Sequence, residues 1–349
     1  MHKSMEKSPL FESGVEPVFN TKLFNDGNGT SCVVSSRLNR RGAIAKANFR
    51  LQTSKFWSPE EVILTDDAKQ WSVMEEDYKY AVKVILSYIN FLDSKMSLMP
   101  SEISAYLSNT EFTLPLAFQQ GMEAVHTHTY SYIYECVMGV TEEIETTLLF
   151  VQDPILVPRI QSITESNTAL RDNPTLENLN KAMLSIYLLE GIYFFNGFNF
   201  FYYLGASGYL KGVEKLISSI NRDEVTHLIL FKELINIAKE DGQWVLTDEE
   251  VFQQFEDAIK VEEAFAHNLL SSRFLPFSKE NVSMFVRYLA NKRLKFLGYK
   301  TNPYNEYKTN PYKVFSRFEP DGEVQGKEVN ILTGMNMDYE KVDKSQFDW

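Results

Sequence analysis

The segment from Ala182 to Ala206 limits the folds open to this chain more than any other part of it. It reads AMLSIYLLEGIYFFNGFNFFYYLGA, which is long enough for a helix to cross a bilayer. It also carries Glu190, Asn196 and Asn199, and the sequence contains no comparable second segment, so a membrane span fits it poorly. We therefore predict a helix that is buried on nearly all sides inside a large helical bundle.

The sequence around this segment predicts further long helices. Residues 66–96 contain few helix breakers and place apolar residues at three- and four-residue steps. The same reasoning predicts helices over 101–138, from about 175, and over 211–240, 247–271 and 278–298. Strand signals are sparse and no internal repeat is visible. Four long helices that can lie side by side predict an all-α fold built on a four-helix bundle.

The two ends of the chain have a different character from its middle. Residues 1–50 show little periodicity and include the breaker-rich run NDGNGTS (26–32), which predicts an irregular N-terminal arm. From residue 315 to 349 the sequence is polar and again rich in breakers, which predicts a flexible tail. A single helical domain over residues 51–314 is expected between them.

Charge and cysteine content exclude several classes of protein. The net charge is −12 and no basic stripe stands out, so a binder of duplex nucleic acid is not expected. The two cysteines, Cys32 and Cys136, provide no disulfide framework, zinc ribbon or CxxC pair. The first residues, MHKSMEKSPLFESG, lack the apolar core of a signal peptide. These features predict a cytoplasmic protein that binds neither membrane nor nucleic acid.

A Glu-x-x-His pattern occurs twice in a chain that has only five histidines. The two copies are Glu123 with His126 and Glu224 with His227. On a helix, side chains at i and i+3 lie on the same face, so each pair can grip one metal ion. A single copy is more often a salt bridge or a surface contact. Two copies, each inside an otherwise apolar helix, favour a metal site.

Two further carboxylates extend this pattern. Asp93 lies near the end of the first long helix, and Glu190 lies in the middle of the most apolar one. Burying a bare carboxylate costs several kcal/mol, so Glu190 needs a proton, a basic partner or a metal ion, and no Lys or Arg lies within a turn or two of it. Four carboxylates would balance two divalent cations. A carboxylate-rich site with one histidine per ion suits iron or manganese rather than structural zinc.

Three aromatic residues share faces with these candidate ligands. Tyr130 follows His126 by four positions, so its phenol is expected near the metal ions. It is either a redox-active tyrosine or a core tyrosine whose hydroxyl bonds a carboxylate. Phe194 and Phe198 follow Glu190 at i+4 and i+8, as ordinary core packing or as a wall that keeps water from the site.

The segments that carry these residues resemble one known family. They are FWSPEEV (56–62), FLDSKM (91–96), MEAVHTHTY (122–130), LLEGIYFFNGF (188–198) and NRDEVTH (221–227). In content, order and spacing the chain resembles the small subunit of class I ribonucleotide reductase over roughly residues 50–300. The resemblance implies a ferritin-like four-helix bundle with extra helices and a dimetal-carboxylate site in its core. It also implies a radical-generating subunit of ribonucleoside-diphosphate reductase, active only with a large subunit that reduces ribonucleotides to deoxyribonucleotides.

The resemblance also implies roles for individual residues. One metal ion would be held by Asp93, Glu123 and His126, and the other by Glu190, Glu224 and His227. Tyr130 falls at the position of the family's tyrosyl radical, with Phe194 and Phe198 as the apolar pocket around it. Trp57 matches the electron-transfer tryptophan, which Asp223 would link to His126 by hydrogen bonds.

Cofactor identity and partners follow from the same resemblance. We expect two metal ions per chain, with iron as the first choice and a manganese pair or a mixed manganese–iron pair left open, because these metals accept the same donors. A homodimer is expected, with the tail docked on the large subunit. Tyr339 is the candidate radical relay in that tail, and Phe347 and Trp349 are candidate hydrophobic anchors.

Three other interpretations stay open at this point. A dimetal-carboxylate oxidase or desaturase-like enzyme would use the same six ligands but would not need Trp57, Asp223 or an aromatic tail. An iron-storage protein would usually be much shorter and would have no docking tail. A helical scaffold without a metal site is hard to reconcile with Glu190 in so apolar a helix.

Overall fold

The computed structural model describes residues 4–10, 18, 20–31, 34, 40–154 and 156–313. These residues form helices and connecting segments, with two isolated β-bridges and no β-strand among them. The predicted all-α class is therefore confirmed for the described part of the chain. The predicted tail, with Tyr339, Phe347 and Trp349, lies outside the described residues, and so does Cys32.

The described residues contain twelve α-helices. Their bounds are α1 Arg40–Thr53, α2 Thr65–Val73, α3 Glu76–Met96, α4 Met99–Ser104, α5 Thr113–Val137, α6 Val140–Gln152, α7 Leu156–Asp172, α8 Leu176–Leu188, α9 Phe195–Ala206, α10 Lys211–Glu240, α11 Asp248–Ala266 and α12 Lys279–Phe296. π-helical turns occupy Leu189–Tyr193 and His267–Ser271, and short 3₁₀ turns occupy Pro59–Glu61, Thr110–Phe112 and Leu275–Phe277.

The centre of the fold is a bundle formed by α3, α5, α8 with α9, and α10, which pack on one another. The predicted central helix is confirmed as a buried element, because residues 182–202 are all buried. It is not one regular helix, since the π turn Leu189–Tyr193 joins α8 to α9. Within the described residues, no helix combines the length and apolar character that a membrane crossing requires.

The prediction of a single helix over residues 66–96 is wrong. The chain forms α2 and α3 instead, because Met74 and Glu75 both adopt extended backbone angles between them. Trp71 fixes the end of α2: its side chain is buried and its Nε1 donates a hydrogen bond to Glu142 Oε2 at 2.7 Å. A long-range contact of this kind leaves no trace in the local periodicity.

Other helix boundaries also differ from the predictions. The first long helix ends at Met96, and Pro100 lies in the first turn of α4, where a proline is tolerated. The helix predicted over 101–138 is therefore divided between α4 and α5. The predicted start near 175 agrees with α8, where the Thr175 hydroxyl accepts a hydrogen bond from the Asn178 N–H. Helices α6 and α7 occupy a region in which no helix is predicted from the sequence.

The predicted irregular arm extends too far at its C-terminal end. Helix α1 already begins at Arg40, so the last part of the 1–50 segment is helical and packs against α5 and α10. Its position is fixed partly by Arg41, whose guanidinium forms an ion pair with Asp241 at the end of α10, at 2.5 Å. The low apolar content of this helix explains why periodicity alone did not reveal it.

Candidate metal centre

Six acidic and histidine side chains converge in the core of the bundle, and each is fully buried. They are Asp93 on α3, Glu123 and His126 on α5, Glu190 in the π turn, and Glu224 and His227 on α10. They form two overlapping groups in which the possible ligand atoms all lie within 4.8 Å of one another. All six ligands predicted from the sequence are therefore brought together.

His126 forms the centre of the first group. Its Nδ1 lies 3.2 Å from Glu123 Oε2, 3.3 Å from Glu224 Oε1 and 3.7 Å from Asp93 Oδ2. One imidazole nitrogen therefore faces three carboxylates, which is the arrangement of a cation site lined by oxygen donors and one nitrogen donor.

His227 forms the centre of the second group. Its Nδ1 lies 2.8 Å from Glu224 Oε2, 3.0 Å from Glu123 Oε1 and 3.5 Å from Glu190 Oε2. Glu123 and Glu224 thus belong to both groups, and each presents one oxygen to either histidine. The two groups are two halves of one centre.

The unpaired oxygens of this cluster provide a test of whether metal ions fit it. Among the residues that the structure describes, no hydrogen-bond donor is found for one buried oxygen of each carboxylate: Asp93 Oδ1, Glu123 Oε1, Glu190 Oε2 and Glu224 Oε1. Unpaired buried acceptors are costly and rare in native proteins. Cations bound between the carboxylates would satisfy all four, so the residues present fit a pair of metal ions.

The pKa values of the cluster also favour a site for metal ions. Burial, with the charges of Glu123 and Glu224 added, raises the pKa of Asp93 well above its usual value. Burial and the same two neighbours also raise the pKa of Glu190. Burial alone would lower the pKa of His126, but Glu224 and the other carboxylates outweigh it and raise that pKa. The cluster therefore carries an excess of negative charge that divalent cations would relieve.

Tyr130 contacts this centre directly. Its side chain is fully buried, and its hydroxyl donates a hydrogen bond to Asp93 Oδ2 at 2.7 Å. Burial and the adjacent Asp93 carboxylate raise the pKa of Tyr130 well above its ordinary value, so the phenol keeps its proton. The hydroxyl therefore has a proton acceptor in place while it remains neutral.

A second hydrogen-bonded connection leads from His126 towards the surface. Trp57, which is half-buried, donates from Nε1 to Asp223 Oδ2 at 2.6 Å, and His126 Nε2 lies 3.3 Å from the same oxygen. The indole and imidazole rings are stacked at 6.3 Å. An Nε2–H bonded to Asp223 leaves the lone pair of His126 Nδ1 facing the carboxylates, as a metal ligand requires.

The segment that carries Trp57 is tied to the bundle on both sides of the indole. Before it, Arg222 Nη2 donates to the carbonyl of Lys55 at 3.0 Å. After it, the Tyr132 hydroxyl donates to the carbonyl of Val62 at 2.8 Å. These contacts hold the Trp57 segment, which contains no long helix, against α5 and α10.

Glu190 has a different kind of support, which the sequence analysis missed. Its Oε1 accepts a hydrogen bond from Gln119 Nε2 at 3.1 Å, and Gln119 is fully buried. A signal was present, because Gln119 precedes Glu123 by four residues and so shares its face of α5. Glu190 itself lies in a π turn, a rare element that often marks functional sites.

Two predicted residues lie beyond this turn. Phe194 and Phe198 are fully buried and stack on each other, with ring centroids 5.5 Å apart. Their role as an apolar wall around Tyr130 stays a prediction. The predicted relay Tyr339 lies outside the described residues.

Comparison with known proteins gives a consistent result. The family model for the small chain of ribonucleotide reductase matches residues 44–311. Ribonucleoside-diphosphate reductase subunit beta of Treponema pallidum is 31% identical over 256 residues, which cover 72% of this chain and 73% of that protein. The corresponding subunit of Halalkalibacterium halodurans is 26% identical over 274 residues, covering 78% and 79%.

Solved structures support the fold. The R2 subunit of ribonucleotide reductase from Clostridium botulinum superimposes with a TM-score of 0.84 at 29% identity, covering 88% of this chain and 97% of that one. The dimanganese(II) NrdF of Streptococcus sanguinis shares the fold alone, with a TM-score of 0.66 at 22% identity over 77% and 94% of the two chains. The predicted ferritin-like bundle is thereby confirmed, and the chain belongs to the family of small, radical-generating subunits of class I ribonucleotide reductase.

Proposed function

We propose that this subunit holds two metal ions in the buried cluster, oxidises Tyr130, and passes the oxidising equivalent through His126, Asp223 and Trp57 to the large subunit. The observation that carries the proposal is a continuous series of contacts. It runs from the fully buried Tyr130 hydroxyl through Asp93, His126 and Asp223 to the half-buried Trp57 indole.

The ligand assignment follows the two overlapping groups. Asp93, Glu123 and His126 hold one ion, and Glu190, Glu224 and His227 hold the other. Because Glu123 and Glu224 each face both histidines, they would help to hold both ions. Their charge, with that of Asp93 and Glu190, balances two divalent cations. An iron pair is our first choice, and a manganese pair or a mixed pair fits the same donors.

When bound, the metal pair would react with an oxygen species and could then oxidise a nearby phenol by one electron. Oxidation of the Tyr130 phenol to its radical also releases the hydroxyl proton. Asp93 Oδ2 lies 2.7 Å from that hydroxyl and is the group positioned to accept the proton. Phe194 and Phe198 then keep water away from the radical, which is their proposed contribution to its lifetime.

The oxidising equivalent moves outward to the large subunit, while the electron moves in the opposite direction. An electron leaves Trp57 and moves inward towards the Tyr130 radical, which takes back a proton and becomes a phenol again. The proton on Trp57 Nε1 has an acceptor in Asp223 Oδ2 at 2.6 Å. The same oxygen of Asp223 thus orients His126 and accepts the indole proton.

The partners of the subunit complete the proposal. We propose a cytoplasmic homodimer that works only with a separate large subunit, on which residues 315–349 dock. Phe347 and Trp349 supply apolar anchors for that contact, and Tyr339 continues the relay beyond Trp57. The N-terminal arm and the helical domain form the rest of the small subunit.

A Trp57→Phe variant tests the transfer step. With the large subunit present, we expect this variant to keep its metal ions and its Tyr130 radical but to lose ribonucleotide reduction, because phenylalanine cannot be oxidised in place of the indole. The exposed Phe56→Ala variant is the matched control and should turn over normally. Normal reduction by Trp57→Phe would overturn the proposed route.

A further inference from the structure

Two buried arginines bind the turn that carries Glu190. Arg159 on α7 is 1% exposed, and its Nη2 donates to the carbonyl of Tyr193 at 2.7 Å. Arg293 on α12 is 2% exposed, and its Nε donates to the carbonyl of Gly191 at 3.1 Å. Both carbonyls belong to the five-residue π turn, so two cations from different helices hold one irregular stretch of backbone.

These bonds are of a strong kind. A hydrogen bond from a charged donor is roughly twice as strong as one between neutral groups. Arginine is rarely this deeply buried, and it keeps its charge at any ordinary pH. Both guanidinium groups therefore donate charge-assisted hydrogen bonds to the backbone of the π turn that carries Glu190.

Gly191 is adapted to this contact. A Cβ atom at this position would lie 3.0 Å from Arg293 Nε and 3.1 Å from Leu228 Cδ2. The absence of a side chain therefore lets the guanidinium reach the backbone next to Glu190. Leu228 directly follows the candidate ligand His227, so the same crowded point joins α10, α12 and the π turn.

Arg159 is itself held rigidly. Its guanidinium lies 3.5 Å from the ring centroid of Tyr88 and 3.7 Å from that of Phe265. It also forms an ion pair with the fully buried Glu262, whose other oxygen accepts a hydrogen bond from Asn196 Nδ2 at 3.1 Å. Since Asn196 lies on α9, just beyond the π turn, the Arg159–Glu262 pair binds the chain at two successive places.

The geometry points to Arg159 and Arg293 as positioning residues, which fix the π turn through the carbonyls of Tyr193 and Gly191 and thereby set Glu190 as a ligand of the second metal ion. This assignment rests on the proposed function, because it assumes that ions bind in the cluster. A π turn shifts the residues that follow it relative to a regular α-helix, and the two arginines bind carbonyls of that turn.

Anaerobic titration of the full-length, metal-free protein with Mn(II) tests this inference. The EPR signal of free Mn(II) gives the number of bound ions and their affinities, and thermal unfolding of the same samples gives stability. In the unsubstituted protein we expect two ions per chain. In Arg293→Met we expect one ion to bind at least about tenfold more weakly, the usual range for loss of a group that orients a ligand. The other ion should weaken by a smaller factor, because Glu190 belongs only to the second of the two ligand groups.

Two matched variants separate positioning from a general loss of stability. Arg293→Lys keeps a cationic donor at this position and should restore most of the lost affinity. Asn291→Leu removes two other hydrogen bonds of α12, from Asn291 Nδ2 to the carbonyl of Tyr307 at 2.8 Å and from Asn302 Nδ2 to Asn291 Oδ1 at 3.2 Å. It should lower the melting temperature without changing either affinity. Equal weakening in Asn291→Leu would show that Arg293 acts only through stability.

Further variants keep the inference testable if Arg293→Met does not fold. Gly191→Ala adds the Cβ that displaces Arg293, and Arg159→Met combined with Glu262→Leu removes the whole buried ion pair without leaving an unpaired charge. Each should weaken the same single ion. If both variants bind two ions as tightly as the unsubstituted protein, the inference is overturned while the proposed metal centre stands. Fewer than two ions in the unsubstituted protein would overturn the proposed function itself.

Discussion

The two halves of the candidate metal centre are built on the same motif and have different surroundings. In the first half, His126 has Asp223 behind it and Tyr130 beside its neighbour Asp93, so hydrogen bonds continue from the ligands to Trp57. In the second half, no hydrogen-bond partner of His227 Nε2 is found among the described residues.

The second half is instead anchored inwards. Glu190 is supported by Gln119 and by a π turn that two buried arginines hold. A Glu-x-x-His pair therefore contributes two of the three candidate ligands assigned to each half, and the residues behind the two pairs differ. In our proposal, the first half serves electron and proton transfer, and the second half is held rigidly.

The largest effect should come from Tyr130→Phe, which breaks the first half alone. Because the phenol is removed and the ligands are not, we expect the organic radical to disappear completely while both metal ions stay bound. EPR together with a metal count on the same sample measures both. Tyr134→Phe, at another buried tyrosine of α5, is the control and should keep the radical. A radical that survives in Tyr130→Phe would remove Tyr130 from the account.

Removal of the metal ions should affect both halves equally. An ion present at a hundred times its dissociation constant stabilises the folded state by about 2.7 kcal/mol, so stripping both should lower the melting temperature markedly. Thermal unfolding with and without chelator measures the loss. Unchanged unfolding would mean that the cluster holds no ions.

The metal-free protein should also respond to pH in a defined direction. The pKa values of Asp93, Glu190, His126 and His227 all lie well above their usual values in the folded state. The folded protein therefore binds more protons than the unfolded chain above about pH 4, and its stability should fall as pH rises from about 5 to about 8. The metal-loaded protein should show a flatter profile. A metal-free profile that rises over this range would contradict the assigned shifts.

Asp223→Asn should produce a smaller effect confined to the first half. An asparagine oxygen can still accept hydrogen bonds, but it lacks the negative charge that Trp57 and His126 share at Asp223 Oδ2. We expect turnover with the large subunit to fall on the order of 10–100-fold, with the metal content nearly unchanged. The exposed Asp66→Asn is a control for charge alone. Turnover equal to that of the unsubstituted protein would show that Asp223 is not on the route.

Gln119→Leu should give the smallest effect and only in the second half. It removes the donor to Glu190 Oε1 while nearly preserving volume. Since a hydrogen bond to a charged group contributes about 1.5–3 kcal/mol, one ion should bind on the order of tenfold more weakly. Mn(II) titration measures this, and Gln120→Leu, at the next and only partly buried position, is the control. Equal weakening of both ions would erase the distinction between the halves.

The clustering of the six candidate ligands could be predicted because its signals are local. Glu123 with His126 and Glu224 with His227 share helix faces at a spacing of three, and Glu190 is conspicuous in an apolar segment. The features that distinguish the halves are not local. Arg159 and Arg293 meet the π turn from helices far away in sequence, and no pattern around either residue announces that contact.

Helix boundaries follow the same rule. The long helix α10 matches its prediction because its apolar period is unbroken and a single helix accounts for all of it. The interruption between α2 and α3 was missed because it depends on Trp71 meeting Glu142 across the fold. The π turn was missed because its residues have ordinary helical composition and its geometry is held from outside.

An EPR spectrum of the aerobically purified protein, with metals counted on the same sample, decides whether Tyr130 carries a radical beside two metal ions. We expect an organic radical signal together with about two metal ions per chain, in line with the two overlapping ligand groups. Two ions without an organic radical would contradict it, and Tyr130 would then be a structural neighbour of a metal-centred oxidant.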